Sequence, residues 1–127
     1  VADSISVSLP RDGRAGVRAV TESGGFALRV SDREILAAIG ALARARGVFA
    51  EPSASAAYAG LVKAVALGRV RRGETAVVVS TGSGLKDVSS AARSVGKPNS
   101  IRPGLEELKR LVAREHLAGA PRRARTP

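Results

Sequence analysis

The run Thr75-Ala-Val-Val-Val-Ser80 (TAVVVS) constrains this chain more than any other stretch. Three consecutive valines put β-branched apolar side chains on both faces of an extended segment. Such a segment is stable only where both faces are covered, which is the situation of a strand in a parallel sheet flanked by helices. The flanks agree with that reading. Gly73-Glu74 makes a turn before the run, and Thr81-Gly-Ser-Gly84 makes a loop at its carboxyl end.

The rest of the chain alternates extended and helical patterns. Residues 4–9 place Ile5, Val7 and Leu9 on one face and stop at Pro10, which predicts a short strand. Residues 12–22 predict a helix ended at Ser23-Gly24-Gly25, and residues 26–30 a second strand. Ser31-Asp-Arg-Glu34 is a capping box for a helix running to about Arg46, with Ile35, Leu36, Ile39 and Leu42 as its apolar stripe. Gly47 closes it. After a short extended piece at Val48-Phe49, Pro52 fits the first turn of a helix over 53–66, ended by Gly68. The first half of that helix is nearly all small residues, so it can lie close to its neighbour. A weaker helical stretch follows Asp87, then a loop over 97–100, then an amphipathic helix from Gly104 to about Leu117. Strands alternating with helices predict an α/β chain with an open, mostly parallel sheet. A sheet of so few short strands leaves an edge in need of a partner. Residues 1–117 read as one portion of a domain, and 118–127 as a basic, disordered tail.

Composition removes several classes of function. There is no cysteine, hence no disulfide, thiolate nucleophile or cysteine metal site, and the single His116 cannot build a multi-histidine metal centre. His116 is expected at the exposed end of the last helix, without a chemical role. No window has the apolar length of a membrane span, and no signal pattern opens the chain, so the cytoplasm is the default compartment. The net charge of +10 draws attention to nucleic acid, but the basic residues are scattered and arginine-rich. Phe26, Phe49 and Tyr58 are the whole aromatic supply for stacking on bases, so neither nucleic acid nor a membrane is the expected partner.

Ligands of open parallel sheets bind beyond the carboxyl ends of the strands. Two segments qualify: Glu51-Pro-Ser-Ala-Ser-Ala-Ala57 and Thr81-Gly-Ser-Gly-Leu-Lys-Asp87. Gly82 and Gly84 allow either a tight turn or a close backbone approach to a ligand. Glu51 is either an acid at a helix N-terminus, favoured by the helix dipole, or a ligand-facing carboxylate. The loop has the spacing of neither a phosphate P-loop nor a dinucleotide fingerprint. Ser53, Ser55 and Ser83 have no histidine base nearby in sequence, so a hydrolase triad is unsupported.

Taken together, Gly47-Val-Phe-Ala-Glu-Pro-Ser-Ala-Ser-Ala-Ala57 and Thr81-Gly-Ser-Gly-Leu-Lys-Asp87 resemble the C-terminal part of the threonine synthases. Glu22-Ser-Gly-Gly25, Val30-Ser-Asp-Arg-Glu-Ile35 and the segment from Ser4 to Pro10 match in order and spacing, so the resemblance covers about residues 3–90. It implies a three-layer fold like that of the tryptophan synthase β chain, with pyridoxal phosphate as cofactor and an amino-acid substrate. The implied reaction converts O-phosphohomoserine and water to threonine and phosphate. It places Thr81, Gly82, Ser83 and Glu51 around the cofactor, with the Thr81 hydroxyl on the pyridine nitrogen. A neutral hydroxyl need not hold that nitrogen protonated, which moderates the electron sink and suits replacement and elimination chemistry. Gly82 and Gly84 would let backbone crowd the ring.

The resemblance also implies what is absent. The family's cofactor-anchoring lysine and its glycine-rich phosphate loop come before the matched region, and neither Lys63 nor Lys86 stands in that lysine's place. No catalytic residue is therefore assigned within this chain. It is expected to be inactive without the missing N-terminal part or a partner chain, with a homodimer left open. Ser8 stands where the family commonly has glycine, and Val88 where proline often follows the Lys-Asp pair. The first residue is valine, which fits a fragment, a processed product or a GTG start codon. Two other readings remain: a dehydratase or another replacement enzyme of the same fold, or a non-catalytic remnant that binds a partner.

Overall fold

The computed structural model describes residues 1–95 and 99–119, with side chains through residue 115. Among the described residues five α-helices follow one another: α1 (Gly13–Glu22), α2 (Asp32–Arg46), α3 (Pro52–Ala66), α4 (Val88–Val95) and α5 (Leu105–Gly119). Short 3-10 turns stand at Asp3–Ile5 and Gly84–Lys86. The chain forms two compact units, Val1–Lys97 and Pro98–Pro127.

Helix α2 starts where its chemistry dictates. The Glu34 N–H donates to the Ser31 hydroxyl at 3.3 Å, and the Ser31 N–H donates back to the Glu34 carboxylate at 2.6 Å. Two backbone donors that the first helical turn leaves free are thus satisfied reciprocally. The helix stops at Gly47, whose φ of 67° lies in the left-handed region open to glycine. Helix α3 carries Pro52 in its first turn, where no N–H is needed.

Helices α2 and α3 pack on each other, and α4 packs on α2. Ile35, Ala38 and Ile39 of α2 are buried, as are Ala54, Ser55, Ala59 and Ala64 of α3. The small residues expected to permit close approach are therefore used between helices. Lys63 fastens the pair at its edge. Its ammonium donates to the Arg29 carbonyl at 2.7 Å and pairs with Glu34 at 3.1 Å, tying α3 to the capping box of α2.

The expected strands are where sequence and structure part. Among the described residues no strand ladder forms, and the pairing is confined to one antiparallel bridge, Ala50 with Ser83. Residues 4–9 open instead as part of the Asp3–Ile5 turn, in which the Ser6 N–H donates to the Asp3 carbonyl at 2.9 Å. Residues 26–30 and 75–80 have no assigned secondary structure, and Val77 and Val79 are 86% and 68% exposed. The physical reason is direct. A strand exists only when a neighbour accepts and donates its backbone hydrogen bonds, and the described residues supply no such neighbour for those segments. The parallel sheet read from the β-branched run is not formed among the described residues.

In the second unit, α5 is laced on its surface by Lys109 with Glu106 at 2.8 Å and Arg110 with Glu107 at 3.7 Å. The Asn99 amide donates to Glu115 at 3.3 Å. The backbone of α5 extends through Gly119, two residues into the expected tail. The expectations for the His116 side chain and for residues 120–127 lie outside what is described.

Candidate functional site

The two segments singled out in the sequence meet at the Ala50–Ser83 bridge. The Glu51 N–H donates to the Gly82 carbonyl at 3.0 Å, and the Gly84 N–H donates to the Phe49 carbonyl at 3.0 Å. These two hydrogen bonds seat loop 81–84 against the start of α3. Glu51 is the N-cap residue of α3, but its side chain does not cap the helix. It turns toward the loop and is buried to 4% exposure.

A carboxylate at that depth needs hydrogen bonds and a counter-charge. It has both. The Ser83 hydroxyl accepts from the Leu85 N–H at 3.3 Å and opens the Gly84–Lys86 turn, which brings Lys86 back over Glu51. The Lys86 ammonium lies 3.1 Å from Oε2 and 3.2 Å from Oε1 of Glu51. Ser4 adds a weaker hydroxyl donor to Oε2 at 3.4 Å. One carboxylate thus joins the N-terminal turn, the start of α3 and the loop.

The glycines of the loop answer to this arrangement. A Cβ placed on Gly82 would fall within the Glu51 carboxylate, and one on Gly84 would fall within the Phe49 ring. Neither glycine has a positive φ, so space rather than conformation demands them. Directly after the turn, Asp87 accepts from the Ser90 N–H at 3.0 Å and the Ser89 hydroxyl at 2.7 Å, starting α4. Hydrogen bonds from Ser90, then Ser89, lower its carboxyl to about 2. At the far end of the helix pair, the Ser31 N–H, then the Ser31 hydroxyl, then Lys63 lower Glu34 to about 2.

Of the residues read from sequence, Glu51, Gly82 and Ser83 are brought together. Thr81 stands beside them in the chain, exposed, directly after segment 75–80. A cavity of about 160 Å³ opens next to Glu51, lined in part by Ser4, Ser53, Lys86 and Asp87; Thr81 does not line it. Sequence reasoning did not anticipate Lys86 and Ser4 as partners of Glu51, or Phe49 as the group that excludes a side chain from position 84. The signal was present for one of them. A glutamate just before a buried helix start needs a cation, and Lys86 belongs to the adjoining motif.

Glu51, Gly82, Ser83 and Lys86 thus form one cluster, with the exposed Thr81 next to it in the chain. The chain belongs to the family of pyridoxal-phosphate dependent enzymes, whose pattern matches residues 1–82. Within the curated proteins its similarity is to threonine synthases. It is 40% identical to that of Halalkalibacterium halodurans over 107 residues, which is 84% of this chain and 30% of that protein. It is 37% identical to that of Methanocaldococcus jannaschii over 112 residues, 88% of this chain and 28% of that protein. With that of Mycobacterium tuberculosis strain H37Rv it shares 43% identity over 95 residues, 75% of this chain and 26% of that protein. The chain therefore spans under a third of the length of these relatives.

The residues present fit one edge of the cofactor. Thr81 offers a neutral hydroxyl of the kind a ring nitrogen can share. An amine for covalent attachment is another matter: the described lysines of the first unit, Lys63 and Lys86, are each engaged by a carboxylate.

Proposed function

We propose that this chain is the C-terminal part of a threonine synthase, which acts when completed by the portion its relatives carry before it. The observation that supports the reading most is the joining of two motifs, Glu51-Pro-Ser-Ala and Thr81-Gly-Ser-Gly-Leu-Lys-Asp87, by the Ala50–Ser83 bridge and the Glu51–Lys86 pair. Segments far apart in sequence are held as one site, and they are the segments on which the resemblance rests.

Pyridoxal phosphate, when bound, supplies the electron sink that stabilises carbanionic character on an amino-acid substrate. This chain contributes the edge facing the ring nitrogen. Thr81 would offer its hydroxyl to that nitrogen without adding charge, and Gly82 and Ser83 would add no bulky side chain beside it. Glu51 and Lys86 form a neutral pair, so the site gains no net charge that would force the nitrogen to protonate. In the completed enzyme the segments 26–30 and 75–80 become strands of an open, mostly parallel sheet whose neighbours the other portion supplies. The amino-acid substrate and the cofactor-anchoring lysine are held by that other portion.

The test is Thr81→Val in the completed enzyme. Loss of the hydroxyl removes a hydrogen bond worth about 1–3 kcal/mol and shifts the cofactor's absorption band, with a fall in the rate of phosphate release from O-phosphohomoserine. An unchanged band and an unchanged rate refute the role given to Thr81.

A further inference from the structure

We propose that Glu51 is a positioning residue rather than a cofactor contact, and that its clamped carboxylate is what forbids a side chain at position 82. The consequence for Thr81 rests on the function proposed above, but the clamp itself does not.

Three observations carry this. First, both carboxylate oxygens of Glu51 are already engaged, Oε1 and Oε2 by Lys86 and Oε2 also by Ser4, so the group has its charge and its hydrogen bonds satisfied inside the chain. Second, its backbone N–H holds the Gly82 carbonyl, so main chain and side chain grip the same loop from one residue. Third, the space a methyl at position 82 would need is occupied by the Glu51 carboxyl group. Ordinarily the far end of a glutamate side chain yields cheaply to such a methyl. Here it is buried and fixed on both oxygens, and moving it either breaks the ion pair or lifts the loop. Lys86 is 59% exposed at its side chain and Glu51 5%, so the carboxylate is the fixed member and the lysine the one that comes to it. Thr81 precedes Gly82 directly, and any lift of the loop displaces its hydroxyl.

The experiment is a double-mutant cycle on this chain between Gly82→Ala and Glu51→Asp, which keeps the charge but draws the carboxylate back by one methylene. Glu51→Ala serves as the second background. The readout is amide hydrogen exchange at Glu51 and Gly84, the two N–H groups that bridge the segments. Gly82→Ala alone is expected to speed both about tenfold or more, while the same change in either Glu51 variant adds about threefold or less. If Gly82→Ala is as damaging in both Glu51 backgrounds as in the native chain, Glu51 is not the reason for the glycine and the proposal fails. In the completed enzyme, Gly82→Ala shifts the cofactor's absorption band and adding Glu51→Asp restores it. Should Thr81→Val leave that band untouched while the exchange cycle behaves as stated, the functional reading fails and the clamp stands.

Discussion

Replacing Ile39 by alanine tests whether the α2–α3 contact is the core of the first unit. Ile39 is 2% exposed, and the buried apolar set around it is small: Ile35, Ala38, Ile39, Ala50, Ala54, Ala59 and Ala64. Five of these are alanine, so the two isoleucines supply most of the side-chain volume. The substitution deletes three carbons. At about 0.8 kcal/mol for each buried carbon, the transfer loss is about 2.4 kcal/mol. Rigid helix backbones on either side collapse only partly, and the remaining cavity raises the expected loss to about 3–4 kcal/mol. Urea denaturation followed by helical circular dichroism measures it. Ile39→Val, which removes a single carbon, is expected to cost about 0.5–1.5 kcal/mol. Val62→Ala on the half-exposed side of α3 stays within about 0.5 kcal/mol. An Ile39→Ala loss below about 1 kcal/mol, or one equal to that of Val62→Ala, refutes the placement of the core between these helices.

Other outcomes follow from the same geometry. Val77→Ala leaves the stability of this chain unchanged within about 0.5 kcal/mol, because the side chain is 86% exposed. In the completed enzyme the same change costs about 1–2 kcal/mol if the segment becomes a strand covered on both faces, and equal effects in the two settings would count against the sheet. Acid sensitivity has a definite sign. Glu34 and Asp87 have folded values lowered to about 2 from 4.5 and 3.8, so each stabilises the folded chain fully above its ordinary value and loses that contribution as pH falls toward 2. A urea midpoint that does not decline between pH 5 and pH 2, or that declines equally when Glu34 and Asp87 are both replaced by their amides, would contradict the assignment.

Much of the helical architecture was legible because its determinants are local. The Ser31–Glu34 box, Pro52 at the head of α3 and Gly47 behind α2 act within a few residues of themselves. Each does in the structure what the sequence says it does. The strands were not settled in the same way. A β-branched run states a preference for extended backbone, but a ladder needs a second chain segment at hydrogen-bond distance. That requirement is non-local, and the sequence of one segment cannot meet it.

The site divides along the same line. The sequence by itself determined which residues were in question: Glu51, and the loop from Thr81 through Asp87, with the family to which they point. Only the tertiary structure decided how they act on one another. Local rules offered two readings for Glu51, a helix-start acid or a ligand-facing carboxylate; the fold puts it at the start of α3 and adds what neither contained, burial against Lys86 and Ser4. Likewise the glycines at 82 and 84 were read from sequence as a tight turn or a close backbone approach to a ligand, and the fold sets Glu51 and Phe49 where their side chains would stand. Charge pairing and steric exclusion act over a few ångströms in space, at 35 residues' separation along the chain for Glu51 and Lys86. No propensity or spacing rule reaches that far.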